Sequence, residues 1–170
     1  MDDHVERLRA QWRRELPDVD TTGMAILGRA RWITQRVRPP IEAVFAGHGL
    51  DGGEFDVLAT LLRSGPPWRL RPTELFTQLL ISSGGLTDRL ARLEQAGLVR
   101  RLKSELDARS LLVELTETGR ATTEAAFRAD MAVERDLLAA LGPADQADLA
   151  HLLAKLSQAL DGTHPGTPLP

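Results

Sequence analysis

Residues 86–101, LTDRLARLEQAGLVRR, constrain the fold more than any other stretch. At 100° per residue, Leu86, Leu90 and Leu93 fall on one stripe, so this is an amphipathic helix with a buried leucine edge. Gly97 ends it. "LVRRL" and "SLLVEL" then read as two strands joined by the polar "KSELDAR", a hairpin with a long tip. Upstream, Pro72 suits the first turn of a short helix through Leu80, and Ser82 or Ser83 can cap the helix that follows. Before these lies "LDGGEFDVLATLL". Asp51 is its N-cap, Glu54 takes the capping-box position, and Leu50 with Phe55 forms a hydrophobic staple. "WRL" is a short strand. The order is helix, short helix, helix, hairpin.

The flanks are helical. Val5, Leu8, Trp12 and Leu16 recur at helical spacing until Pro17. A second run from Thr22 carries Met24, Leu27, Ile33, Val37, Ile41, Val44 and Phe45, and Pro39-Pro40 is expected to bend or break it. Thr116 opens a helix to about Leu141, Gly142-Pro143 breaks it, and Leu149, Leu152, Leu153, Leu156 and Leu160 mark the last one. "DGTHPGTPLP" reads as a disordered tail. The fold expected is mainly α with a small β-wing: a winged helix-turn-helix flanked by N- and C-terminal helices. It divides into N-terminal helices at 1–47, the winged helix-turn-helix at 48–118, C-terminal helices at 119–160 and a tail at 161–170.

At 170 residues and 42% hydrophobic, the chain can bury a core. It has no cysteine, which excludes disulfides and thiolate metal sites and fits a reducing cytoplasm. No apolar run is long enough to cross a membrane, and the charged start does not read as a signal peptide. His4, His48, His151 and His164 stand far apart, without metal-ligand spacing, and no phosphate loop or nucleophile motif occurs. An enzyme, a metal centre and a bound cofactor are therefore not expected. The net charge of −3 hides a basic middle. Residues 63–109 hold nine basic side chains against five acidic ones, a local surplus of four.

Opposite the leucine stripe lie Gly84, Asp88, Ala91 and Arg92, with Thr87 on one flank. Ser82, Ser83 and Gly84 let the backbone approach a phosphate closely. Arg92 is suited to a phosphate or a guanine edge, and Thr87 to a base edge or a thymine methyl. Asp88 repels phosphate unless it accepts from a cytosine amino group. At the hairpin tip, Asp107 can orient Arg109 for a narrow minor groove. Each feature also has a plain reading: a solvated helix face, and a salt bridge in a turn. Two function classes follow, a DNA-binding regulator and a winged helix kept as a protein-interaction module. Salt-dependent binding to double-stranded DNA separates them. Arg89 falls at the edge of the leucine stripe, where a guanidinium needs a carboxylate or other anion, and Asp56 is the candidate.

The segments "FDVLATLLRSG", "RPTELFTQLLISSGGLTDRLARLEQAGLVRR" and "DARSLLVELTETGR" resemble the MarR family of bacterial transcription regulators. That resemblance implies a homodimer joined through its first and last helices. Recognition helices would enter successive major grooves of a pseudopalindrome, with wings in the minor grooves. Ala108 and Pro39-Pro40 depart from the family pattern. The chain is also similar to the urate-responsive branch of the family, which has an extra N-terminal helix bearing a tryptophan. Matched motif by motif, its effector pocket implies Trp12, Asp56, Arg89 and Arg101, with a small anionic effector such as urate or a related carboxylate or aromatic metabolite. Competition between ligand and Arg89 for Asp56 would tilt the recognition helix and release DNA.

Overall fold

The structure, a computed structural model, describes residues 3–79, 85–103 and 111–163. The elements are α1 (His4–Glu15), a π-helical turn (Met24–Gly28), α2 (Arg29–Gly47), α3 (Gly52–Arg63), β1 (Arg69–Leu70), α4 (Pro72–Gln78), α5 (Leu86–Gln95), β2 (Val99–Lys103), β3 (Leu111–Leu115), α6 (Glu117–Leu137) and α7 (Pro143–Thr163). They fall into two compact units, Met1–Ile41 and Glu42–Pro170.

In the first unit, Asp3 caps α1 by accepting from the Glu6 N–H at 2.8 Å, and its second oxygen accepts from Arg29 Nε at 2.7 Å. These contacts, the Arg29 bond first, hold the Asp3 carboxyl below its ordinary pKa. Val5 is buried, and the π-turn packs onto it closely: a methyl at Gly28 would stand 3.2 Å from Val5 Cγ1. His4 stacks on Trp32 with centroids 4.2 Å apart. The second helical run thus opens with a π-turn, which its apolar spacing did not disclose. It also runs on through Pro39-Pro40, so of the bend or break expected there the break does not occur. The carbonyls deprived of donors by the two rings belong to Gln35 and Arg36, both exposed, where water can serve instead.

In the second unit the core is Val57, Leu58 and Leu61 of α3, Leu75 of α4, Leu86, Leu90 and Leu93 of α5, Val99 of β2, and Val113 and Leu115 of β3. α6 lays Gly119, Thr123, Ala126 and Asp130 inward, a stripe of helical period. The wing is a three-stranded antiparallel sheet in the order β1-β3-β2, with Arg69 and Arg100 both opposite Glu114 and Arg101 opposite Val113. α6 starts where the Thr116 side chain accepts from the Gly119 N–H at 2.9 Å, and it ends at Leu137, short of the Leu141 expected. α7 continues to Thr163, so the helix takes in 161–163 of the expected tail, and no residue of it is buried among those described. Leu149, Leu152, Leu153, Leu156 and Leu160 all lie exposed on it. Among the described residues no helix is long and apolar enough to cross a membrane.

Candidate nucleic-acid interface

α5 is seated by its own amphipathic pattern. Leu86, Leu90 and Leu93 go into the core, while Thr87, Asp88, Ala91 and Arg92 face outward. Its N-cap is Gly85, in the left-handed region at φ 73°, with no side-chain cap. The serine cap expected for this helix is therefore replaced by a glycine, the residue that reaches this φ without strain. Ser82, Ser83 and Gly84, expected at the DNA backbone, lie outside the described residues, as do Asp107 and Arg109 of the wing tip. Thr87 and Asp88 are exposed on the first turn of α5, Asp88 opposite the core and Thr87 on the flank.

The first turn of α3 receives two arginines from α5. It is closed by the capping box expected from the sequence: Asp51 Oδ1 accepts from the Glu54 N–H at 2.7 Å, and Glu54 Oε2 accepts from the Asp51 N–H at 2.9 Å. Each carboxylate then has one oxygen left. Both are taken by Arg92, whose Nε donates to Glu54 Oε1 at 2.6 Å and whose Nη2 donates to Asp51 Oδ2 at 3.0 Å. The bond to Glu54 is the first cause of a guanidinium pKa above its ordinary value. Arg92 was expected to face the groove. It lies on the outward side of α5, half-exposed, with its guanidinium turned back onto α3.

Arg89 reaches the same turn. A methyl built on Gly53 would stand 2.3 Å from Arg89 Nε and 2.5 Å from its Cζ, so the guanidinium rests directly on the glycine. Gly53 and Asp56 are one helical turn apart on α3, and Asp56 is 6% exposed. Arg89 is thus half-buried against the α3 face that carries Asp56.

Arg101 is anchored elsewhere, with Nε 3.1 Å from Glu94 Oε2. Glu94 follows Arg89 by five residues, about 140° around the helix, so Arg89 and Arg101 are tied to different sides of α5. Trp12, in the first unit, is 49% exposed. Arg100 donates through Nε to Glu114 Oε1 at 3.1 Å, and Arg69 approaches the other Glu114 oxygen at 4.0 Å. The partners Glu94 and Glu114 and the seat at Gly53 were not singled out from sequence. The sequence marks Glu54 as a cap, and a reciprocal box leaves one oxygen on each carboxylate to bind something else.

A helix-turn-helix feeding a three-stranded antiparallel wing, with Thr87, Asp88 and Ala91 of its second helix presented to solvent, makes this chain a winged-helix protein. The sequence pattern of the MarR family matches residues 48–110. Over 156 residues the chain is 35% identical to the HTH-type transcriptional regulator PecS of Dickeya dadantii (strain 3937), covering 92% of this chain and 94% of that one. Among solved structures it is similar to AbsC, a MarR family transcriptional regulator from Streptomyces coelicolor, at 27% identity and TM-score 0.70, covering 85% of this chain and 98% of that one. A mutant MarR from E. coli complexed with operator DNA gives 26% identity and TM-score 0.67, covering 85% of this chain and 96% of that one. The chain belongs to the MarR family of transcriptional regulators.

Proposed function

We propose that the chain is a ligand-responsive repressor. It binds a pseudopalindromic operator as a homodimer and is released by a small planar anion of the urate type. Ser82, Ser83, Gly84, Thr87 and Asp88 of the recognition segment meet the major groove, and Arg109, oriented by Asp107, meets the minor groove. Asp56, Arg89 and Arg101 respond to the anion, and the resemblance also gives Trp12 a part in that response. The observation that carries this reading is the seating of Arg89. A residue of the recognition helix rests on Gly53, one turn from the buried Asp56. An anion that draws this guanidinium to itself changes the contact between α5 and α3, which is the differential binding that release of DNA requires. Homodimerisation is supported by α7, a 21-residue helix with an exposed leucine stripe and nothing buried on it among the described residues.

The test is fluorescence anisotropy of an operator selected from random duplexes by the full-length chain. Urate, other purines, aromatic acids and tricarboxylates are then titrated in. Release by a planar anion is expected, with Trp12→Ala binding DNA as the wild type does but losing most of the response. If none of these anions releases DNA, or if Trp12→Ala responds like the wild type, the sensor reading is wrong.

A further inference from the structure

The arrangement at the start of α3 points to a second tie on the recognition helix, separate from Arg89 and independent of any effector. We infer that Arg92 is a positioning residue. It clamps α5 to the capping box of α3 and so sets the pitch at which the recognition helix enters DNA, rather than touching DNA itself. Three observations carry this. The two hydrogen bonds, 2.6 Å to Glu54 and 3.0 Å to Asp51, end on separate carboxylates, so the guanidinium spans the turn and fixes a direction as well as a distance. The two carboxylates are held by the helix they cap, through their other oxygens, so the clamp is pre-organised on the α3 side. Glu54 is buried while Arg92 is half-exposed. Moving Arg92 to a phosphate would leave a buried carboxylate without its cation, which disfavours the exchange.

A phosphate-binding arginine and a positioning arginine leave different traces. Neutralising a phosphate contact weakens binding to every duplex and lowers the magnitude of the salt slope by about 0.9. Losing a positioning contact misplaces the helix over its bases. Binding to the operator falls, while binding to unrelated duplex, which depends on charge alone, does not.

The experiment compares full-length wild type, Arg92→Gln, Glu54→Gln and the double variant for affinity to the selected operator and to a scrambled duplex across a salt series. Gln at the third helical position preserves the capping box, so Glu54→Gln keeps α3 while weakening the clamp. Each single variant is expected to lose roughly five- to tenfold in operator affinity, and the double variant no more than either one, because they break one interaction. Scrambled-duplex affinity and the salt slope stay at wild-type values. Asp51→Asn is a companion that remains a good cap but offers Arg92 a neutral acceptor; it should lose operator affinity to a smaller degree. The inference is overturned if Arg92→Gln weakens both duplexes alike with a shallower salt slope, or if Glu54→Gln binds the operator as well as or better than the wild type. Additive losses in the double variant would overturn it too.

Discussion

Gly53→Ala should separate the seating of Arg89 from the stability of the fold. The new methyl would stand 2.3–2.8 Å from three guanidinium atoms of Arg89. Ordinary contact needs about 3.4 Å or more, so the guanidinium must withdraw by roughly 1 Å. It can withdraw, because these atoms are the far end of a flexible side chain. Against the lost contact stands the helix propensity of alanine, up to about 1 kcal/mol better than glycine within a helix. The two effects have opposite sign and similar size, so the unfolding free energy should stay within about 1 kcal/mol of wild type. Urea denaturation followed by circular dichroism measures this. DNA binding should not stay the same. With Arg89 pushed off its seat, operator affinity is expected to fall roughly fivefold, and the anion should release a smaller fraction of DNA. Operator affinity and effector midpoint both at wild-type values would mean that the seat of Arg89 plays no part in either. A loss of more than about 3 kcal/mol would mean that the guanidinium is fixed in place and cannot yield.

Gly119→Ala is the opposite case, because there the methyl would meet the Leu98 carbonyl, which is backbone and cannot move aside. That carbonyl also accepts from the Thr116 N–H at 3.0 Å, so the start of α6 should be disrupted and the fold destabilised by at least about 1–3 kcal/mol, read as a lower urea midpoint. Leu153→Glu, in the exposed stripe of α7, should convert the proposed dimer to a monomer in light scattering after size exclusion; the same mass for variant and wild type would refute α7 as the dimer face. Asp130 lies 5% exposed on α6, with a carboxylate oxygen that has no hydrogen-bond partner among the described residues. Burial first, and then the nearby Glu134 carboxylate, push its pKa above 3.8. The folded chain therefore holds this proton more tightly than the unfolded chain does. The cost of the charge is fully present above the folded pKa and vanishes as pH falls below the unfolded value. Asp130→Asn should accordingly raise the melting temperature at pH 7, with the difference closing toward pH 4; an equal or lower melting temperature at neutral pH would contradict this.

The parts of this fold that were legible in the sequence are those in which the signal is local. The capping box at Asp51 and Glu54 is a spacing rule between neighbours on one turn, and the leucine stripe of α5 is a period; both stand where expected. The edge position of Arg89 follows from the same wheel, and the side chain is half-buried. What the wheel cannot supply is the surface opposite. It gives the direction in which Arg92 leaves α5, but this side chain is long enough to turn back onto a neighbouring helix, and the acceptors there depend on how α3 packs. Gly53 was equally opaque. A glycine pair at a helix start reads as loose backbone, and its meaning emerges only when Arg89 is placed over it. At Pro39-Pro40 the local rule allows a bend or a break, and the helix continues because the penalty falls on carbonyls of exposed residues, which water can serve.

The stretch 86–101 carries four arginines, and charge alone would assign them all to DNA. The protein engages every one of them. Arg89 rests on Gly53, Arg92 bridges Asp51 and Glu54, Arg100 pairs with Glu114, and Arg101 pairs with Glu94. A guanidinium already matched to a carboxylate contributes little net positive field, since the pair is close to neutral at a distance. The four arginines therefore fasten α5 and β2 to the elements beside them. Both ties on α5 converge on a single turn, residues 51–54, that helix capping already makes rigid. On the function proposed above, an anion that reseats Arg89 on that turn acts on the angle of the recognition helix directly, while the Arg92 tie inferred above limits how far it can swing.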